Sequence, residues 1–137
     1  MTRADVRIAT GARNGVYGIQ QDFARGQAPD ALWCVVDLAS ARGERELLAA
    51  FAQALRFPQD FGWNWDALAD SLQDLSWLRP GGIVLDIRGA AALASAAPAE
   101  WAVALDILRD AATYWRKQQR MFLVFVQALD TLPTWFP

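Results

Sequence analysis

Three nearly continuous apolar runs punctuate the chain: Leu32-Trp33-Cys34-Val35-Val36-Asp37-Leu38, Ile83-Val84-Leu85-Asp86-Ile87 and Met121-Phe122-Leu123-Val124-Phe125-Val126. Short unbroken runs of this kind mark strands covered on both faces. Between the first two, Leu47, Leu48, Phe51 and Leu55 recur at helical spacing over 44–56, and Pro58 stops that helix. A second helix is predicted from about Asn64 to Ser76, with Trp65, Leu68, Leu72 and Leu75 on one stripe, before Gly81-Gly82 leads into the next strand. Between the second and third runs, Trp101, Ala104, Leu105, Leu108, Ala112 and Trp115 keep helical register, with Pro98 suited to the first turn. The order strand, two helices, strand, helix, strand implies an α/β fold: a parallel sheet with right-handed crossovers and helices packed on it.

The first thirty residues are more weakly patterned. Asn14-Gly15 stands between Val6-Arg7-Ile8 and Val16-Tyr17-Gly18-Ile19, and this dipeptide favours the positive φ angles of a tight β-hairpin. Residues 1–30 are therefore expected to form an N-terminal extension carrying a hairpin and a polar linker, with the main domain over 31–137. Ala-rich 89–99 is a low-complexity stretch, and the tail, with Leu132, Trp135 and Phe136, is expected to fold back on the domain.

Composition removes whole classes of chemistry. A chain of 137 residues with 54% hydrophobic and 20% charged residues can bury a core of its own. It has no histidine, so Ser-His and Cys-His catalysis are excluded; its one cysteine, Cys34, excludes thiolate zinc clusters and disulfide scaffolds and is expected in the core. There is no signal-like or membrane-spanning run, so a cytoplasmic protein without membrane contact is expected. A formal net charge of -2 points to no direct nucleic-acid binding.

That average hides a local excess. From Phe57 to Leu78 there are four acids, Asp60, Asp66, Asp70 and Asp74, and no Lys or Arg. At about 100° per residue, Asp66, Asp70 and Asp74 project opposite the apolar stripe. Aspartate is a poor interior helix former, and like charges at i, i+4 repel by about 0.2–0.5 kcal/mol, so folding alone does not favour the arrangement. Asn64 or Asp66 can cap the helix, and Trp63, after Gly62 and out of the stripe's register, is a candidate exposed interface anchor. On the residues alone, three readings stay open: a solvated acidic face, an anionic docking surface for a cationic partner, or a divalent-cation site. Asp37 and Asp86 could add ligands to the last, but no phosphate loop or EF-hand spacing accompanies them.

The segment Phe57-Pro58-Gln59-Asp60-Phe61-Gly62-Trp63-Asn64-Trp65-Asp66-Ala67-Leu68-Ala69-Asp70-Ser71-Leu72 closely resembles the signature of barstar-like proteins, an aromatic-Gly-x-Asn-x-Asp-Ala-Leu-x-Asp helix entered through a Pro turn. Val84-Leu85-Asp86-Ile87-Arg88 is similar to the family's middle strand, and Leu105-Asp106-Ile107-Leu108-Arg109-Asp110-Ala111 to its final helix. The resemblance implies a barstar-like fold with three parallel strands, no cofactor, no metal and no catalysis. It also implies a cytoplasmic ribonuclease inhibitor or immunity protein whose partner is a basic ribonuclease; binding to another cationic protein through the same acidic helix is the alternative. By position, Asp66 and Asp70 correspond to the two inhibitory acids, Asp70 to the one entering the catalytic cleft, Asn64 to a contact at the helix start, and Asp110 to an acid on the final helix. Asp60, Ala69 and Gln73-Asp74-Leu75 depart from the family, which has aromatics at the first two places and a Thr-Gly-Trp segment at the third. These departures weigh against barnase itself as the target but not against a basic partner, a ribonuclease or another cationic protein, met by Asp60, Trp63, Asn64, Asp66, Asp70, Asp74 and Asp110.

Overall fold

The computed structural model describes residues 8, 10–19, 30–78, 81–127 and 132–135. Four strands, β1 (Gly15–Ile19), β2 (Leu32–Asp37), β3 (Ile83–Arg88) and β4 (Phe122–Gln127), form one parallel sheet in the order β1-β4-β3-β2. Four helices connect them: α1 (Glu44–Leu55), α2 (Trp65–Leu72), α3 (Ala90–Ala96) and α4 (Pro98–Lys117). The two central strands, β3 and β4, are buried almost throughout, as their unbroken apolar runs require. β2 differs: it is an edge strand, so Cys34 and Val36 are buried while Val35 is 45% exposed. Continuous apolarity signalled the strand but not its place at the margin.

One face of the sheet carries the helices. Val36, Leu85, Ile87, Val124 and Val126 meet Leu48 and Phe51 of α1, Leu68 and Leu72 of α2, Leu93 of α3, and Trp101, Ala104 and Leu108 of α4. The opposite face is smaller and aromatic: Val84, Leu123 and Phe125 lie with Ile8, Met121 and Trp135, and Trp135 meets Phe125 and Tyr17 edge-on at 5.1 and 5.0 Å. Cys34 is buried, and that burial raises its thiol pKa above the ordinary value despite the opposing influence of Arg56. Asp86, 1% exposed, is satisfied by Arg88, whose Nε and Nη2 both donate to Oδ2, and by Gln127 Nε2 donating to Oδ1. At the end of β3, Gly89 turns the chain at φ 74, where a Cβ would lie 2.6 Å from Ala39 Cα.

The hairpin expected around Asn14-Gly15 is corrected. Gly15–Ile19 is a strand, but it pairs in parallel with β4, and Ile8 is helical; Val6 and Arg7 lie outside the described residues. Asn14 serves a different purpose from a turn. Its Nδ2 donates to the Arg120 and Ala112 carbonyls at 2.8 and 3.2 Å, and its Oδ1 accepts from Phe122 N at 2.7 Å. The side chain thus joins the start of β1 to the end of α4 and the start of β4. The tail extends this edge: Trp135 N donates to Gly18 O, and Leu132 and Trp135 are buried, whereas Phe136 lies outside the described residues. The Ala-rich stretch holds α3, a short helix that the sequence pattern did not announce.

The second helix is shorter than its stripe predicts. It ends at Leu72; Asp74 N and Leu75 N both donate to Ser71 O, and Leu75 turns at φ 53 while staying buried. Two indoles supply partners to the carbonyls that a helix end leaves open. Trp115 Nε1 donates to Leu72 O at 2.8 Å, and Trp77 Nε1 to Leu55 O at 2.9 Å, so each meets the last residue of a helix.

Two stability measurements check these assignments. Asn14→Ala removes three hydrogen bonds, among them those that Arg120 O and Phe122 N make where the chain enters β4, so chemical denaturation should register a loss of about 2–3 kcal/mol. Trp115→Phe keeps most of the ring packing but removes the donor to Leu72, and should cost about 1–2 kcal/mol, with the fastest hydrogen exchange gained at the C-terminal end of α2.

Candidate functional site

The candidate surface begins in the loop between α1 and α2. Arg56 closes α1 in the left-handed region at φ 54, and Pro58 O accepts from Phe61 N, forming a turn that leaves Asp60 exposed. Phe57 and Phe61 pack at 4.7 Å beneath the turn, with Trp77 edge-on to Phe57 at 5.9 Å. The aromatics of this segment are therefore mostly a floor for the loop; Trp77, half-buried and bound to Leu55 O, belongs to that floor. Trp63 stands apart. It is 48% exposed, meets Phe61 at 5.3 Å on one side, and lies 5.9 Å from the Arg45 guanidinium.

Asn64 then starts the helix. Its extended backbone, φ -144, and its Oδ1 accepting from Ala67 N at 2.7 Å make it the N-cap, leaving Asp66 in the first turn, where the helix dipole favours a carboxylate. Leu68 and Leu72 are fully buried, and Trp65 is half-buried against the same core, so the stripe faces inward as expected. Asp66 and Asp70 are exposed on the other side, about 6 Å apart along the axis from the helical rise alone. Asp74 is exposed too, but it belongs to the turn after the helix. The expected row of three acids on one helix is thus two on the helix and one beyond it.

The neighbouring element is α4. The Trp115 bond to Leu72 fixes it beside α2, and Asp110 lies exposed on it. Among the described residues, none of Asp60, Asp66, Asp70, Asp74 and Asp110 forms an ion pair; the pairs present there are Arg88 with Asp86 and Arg109 with Asp106. The surface therefore carries several carboxylates that no ion pair among the described residues neutralises. The carboxylates weighed as a cation site do not converge: among the described residues no three His, Cys, Asp or Glu side chains could hold a metal together. Asp37 accepts from Ala39 N and Asp86 is held within the sheet by Arg88 and Gln127.

Chemically, this is a rigid helix presenting unpaired anions in water, flanked by one exposed indole. The feature that sequence reasoning missed is the backbone at Trp63, which is left-handed at φ 55; a Trp after Gly carries no signal of that conformation. Among the described residues, no helix is long and apolar enough to cross a membrane.

No individually curated protein matches the chain. The family model described as Barstar (barnase inhibitor) matches residues 31–127, a span that starts just before β2, ends with β4 and contains the whole candidate surface. That match covers well over half of the molecule, and with the capped acidic helix and parallel sheet in place, the chain belongs to the barstar family.

Proposed function

We propose that the chain is a non-enzymatic ribonuclease inhibitor, a bacterial, cytoplasmic immunity protein of toxin-antitoxin type, which binds a basic ribonuclease and closes its active site with α2. The observation that carries this reading is the pair Asp66 and Asp70, exposed and without an ion pair among the described residues, on a helix whose other face is locked into the core of a barnase-inhibitor family member.

An RNA-cleaving site must stabilise the charge of a phosphodiester, so its cleft is cationic. A carboxylate on a rigid helix can occupy the same field with little ordering cost, because the helix is formed before binding. Asp70 is assigned to the cleft, Asp66 to its rim and Asn64 to a contact at the helix start. Asp60, Asp74 and Asp110 extend the negative field over the loop, the turn and α4, and Trp63 adds the apolar contact. Opposite fields accelerate encounter, which matters when a toxic enzyme must be captured before it meets RNA. No cofactor enters this mechanism.

A second reading, an interaction module for a different basic protein, draws on one observation. Leu75, at the end of the segment where the family signature has an aromatic contact, is 1% exposed and part of the core, and Ala69 offers only a methyl group. The family's aromatic contacts are thus reduced, which favours a partner other than barnase.

The double substitution Asp66→Asn with Asp70→Asn separates folding from binding. Its thermal midpoint should stay near that of the wild type, since one repulsive i, i+4 pair is removed as one dipole interaction is lost. Inhibition of a basic ribonuclease should weaken by about 2–5 kcal/mol, and its salt dependence should flatten. A folded double variant that inhibits as strongly as the wild type sinks the assignment.

A further inference from the structure

Trp63 is the part of this surface that neither the core nor the turn explains. The loop holds residue 63 in the left-handed region at φ 55, a conformation natural to glycine or asparagine and an outlier for a bulky side chain. The indole does not escape that penalty by complete burial, because 48% of the residue remains in water. It is nevertheless fixed: Phe61 meets it at 5.3 Å with the rings at 61°, and the Arg45 guanidinium lies 5.9 Å from its centre. Strain of this kind collects where a side chain is held for use, and an aromatic that is half-buried and already oriented loses little freedom on contact. The next residue, Asn64, is the N-cap of the helix bearing Asp66 and Asp70. The indole therefore stands directly before the start of the helix that carries the carboxylates.

Resting on the inhibitor reading, we propose that Trp63 determines which basic ribonuclease is bound: its indole enters an apolar recess beside the partner's cationic cleft while the carboxylates of α2 occupy the cleft itself. The anions alone suit any cationic enzyme; the fixed indole admits only one that offers an apolar recess at that distance. The division follows interface energetics, in which charges steer and a buried aromatic anchor supplies the hot spot.

The test uses Trp63→Asn and Trp63→Gly, both suited to the left-handed backbone, with Trp63→Phe as the conservative variant. Inhibition constants are measured against barnase and a set of other basic microbial ribonucleases, alongside thermal denaturation of each variant. The expected result is an unchanged or higher denaturation midpoint for Trp63→Asn and Trp63→Gly. Inhibition should weaken by roughly 30-fold or more against the enzyme that the wild type inhibits best. Less should be lost against weakly inhibited enzymes, and Trp63→Phe should recover part of it. The salt dependence of inhibition should be that of the wild type, because no charge has been removed. Equal inhibition by wild type and Trp63→Asn overturns this inference alone, as does a fall in stability large enough to account for the loss. A wild-type chain that inhibits none of the enzymes overturns the inhibitor reading, and this inference with it.

Discussion

An isolated helix of eight residues does not persist in water, because nucleation is costly and few hydrogen bonds follow it. α2 is such a helix, so the presentation of Asp66 and Asp70 depends on what clamps it. Asn64 closes its first turn, Leu68 and Leu72 anchor its inner face, and the Trp115 indole takes up the carbonyl at its last residue. The first two restraints lie in the segment itself and the third reaches in from α4, more than forty positions on. The acids add little net stability to this clamp, because the dipole's stabilisation of Asp66 is offset by its repulsion from Asp70, so folding does not dictate the outer face.

The same division runs through the charge distribution. A net charge of -2 is unremarkable for 137 residues, yet none of the four aspartates between Phe57 and Leu78 has a cation within its own segment or an ion pair among the described residues. Where a carboxylate serves the fold, it is treated differently. Asp86 is buried and receives three hydrogen bonds from Arg88 and Gln127, as a desolvated charge requires. The contrast between the neutralised aspartate in the sheet and the open ones on the surface is the electrostatic basis of the proposed function.

Much of the fold was legible because the relevant forces are local. The apolar runs at 32–38, 83–87 and 121–126 mark strands through burial alone, and the stripes over 44–56 and 101–115 mark helices through period alone. The capping role of Asn64 could be read from its residue type and place. What could not be read depends on distant partners. The preference of Asn14-Gly15 for a hairpin gives way to three hydrogen bonds that reach α4 and β4, more than ninety positions away. The stripe through Leu75 remains buried, but the helix stops at Leu72, where an indole from α4 takes the last carbonyl. A chain that turns through a left-handed leucine keeps the apolar pattern of a longer helix without its backbone.

The unusual tryptophan content resolves in the same terms. Trp101 and Trp135 are buried, Trp33 and Trp65 are half-buried against the two sides of the sheet, and Trp77 and Trp115 use their N–H groups at helix ends. Each of these six has a structural reason to be large, flat or a donor. Trp63 has none of comparable strength, since its backbone conformation suits a smaller residue and its ring is half in water. Sequence composition counts all seven alike; only backbone geometry and exposure together separate the one that the fold does not account for.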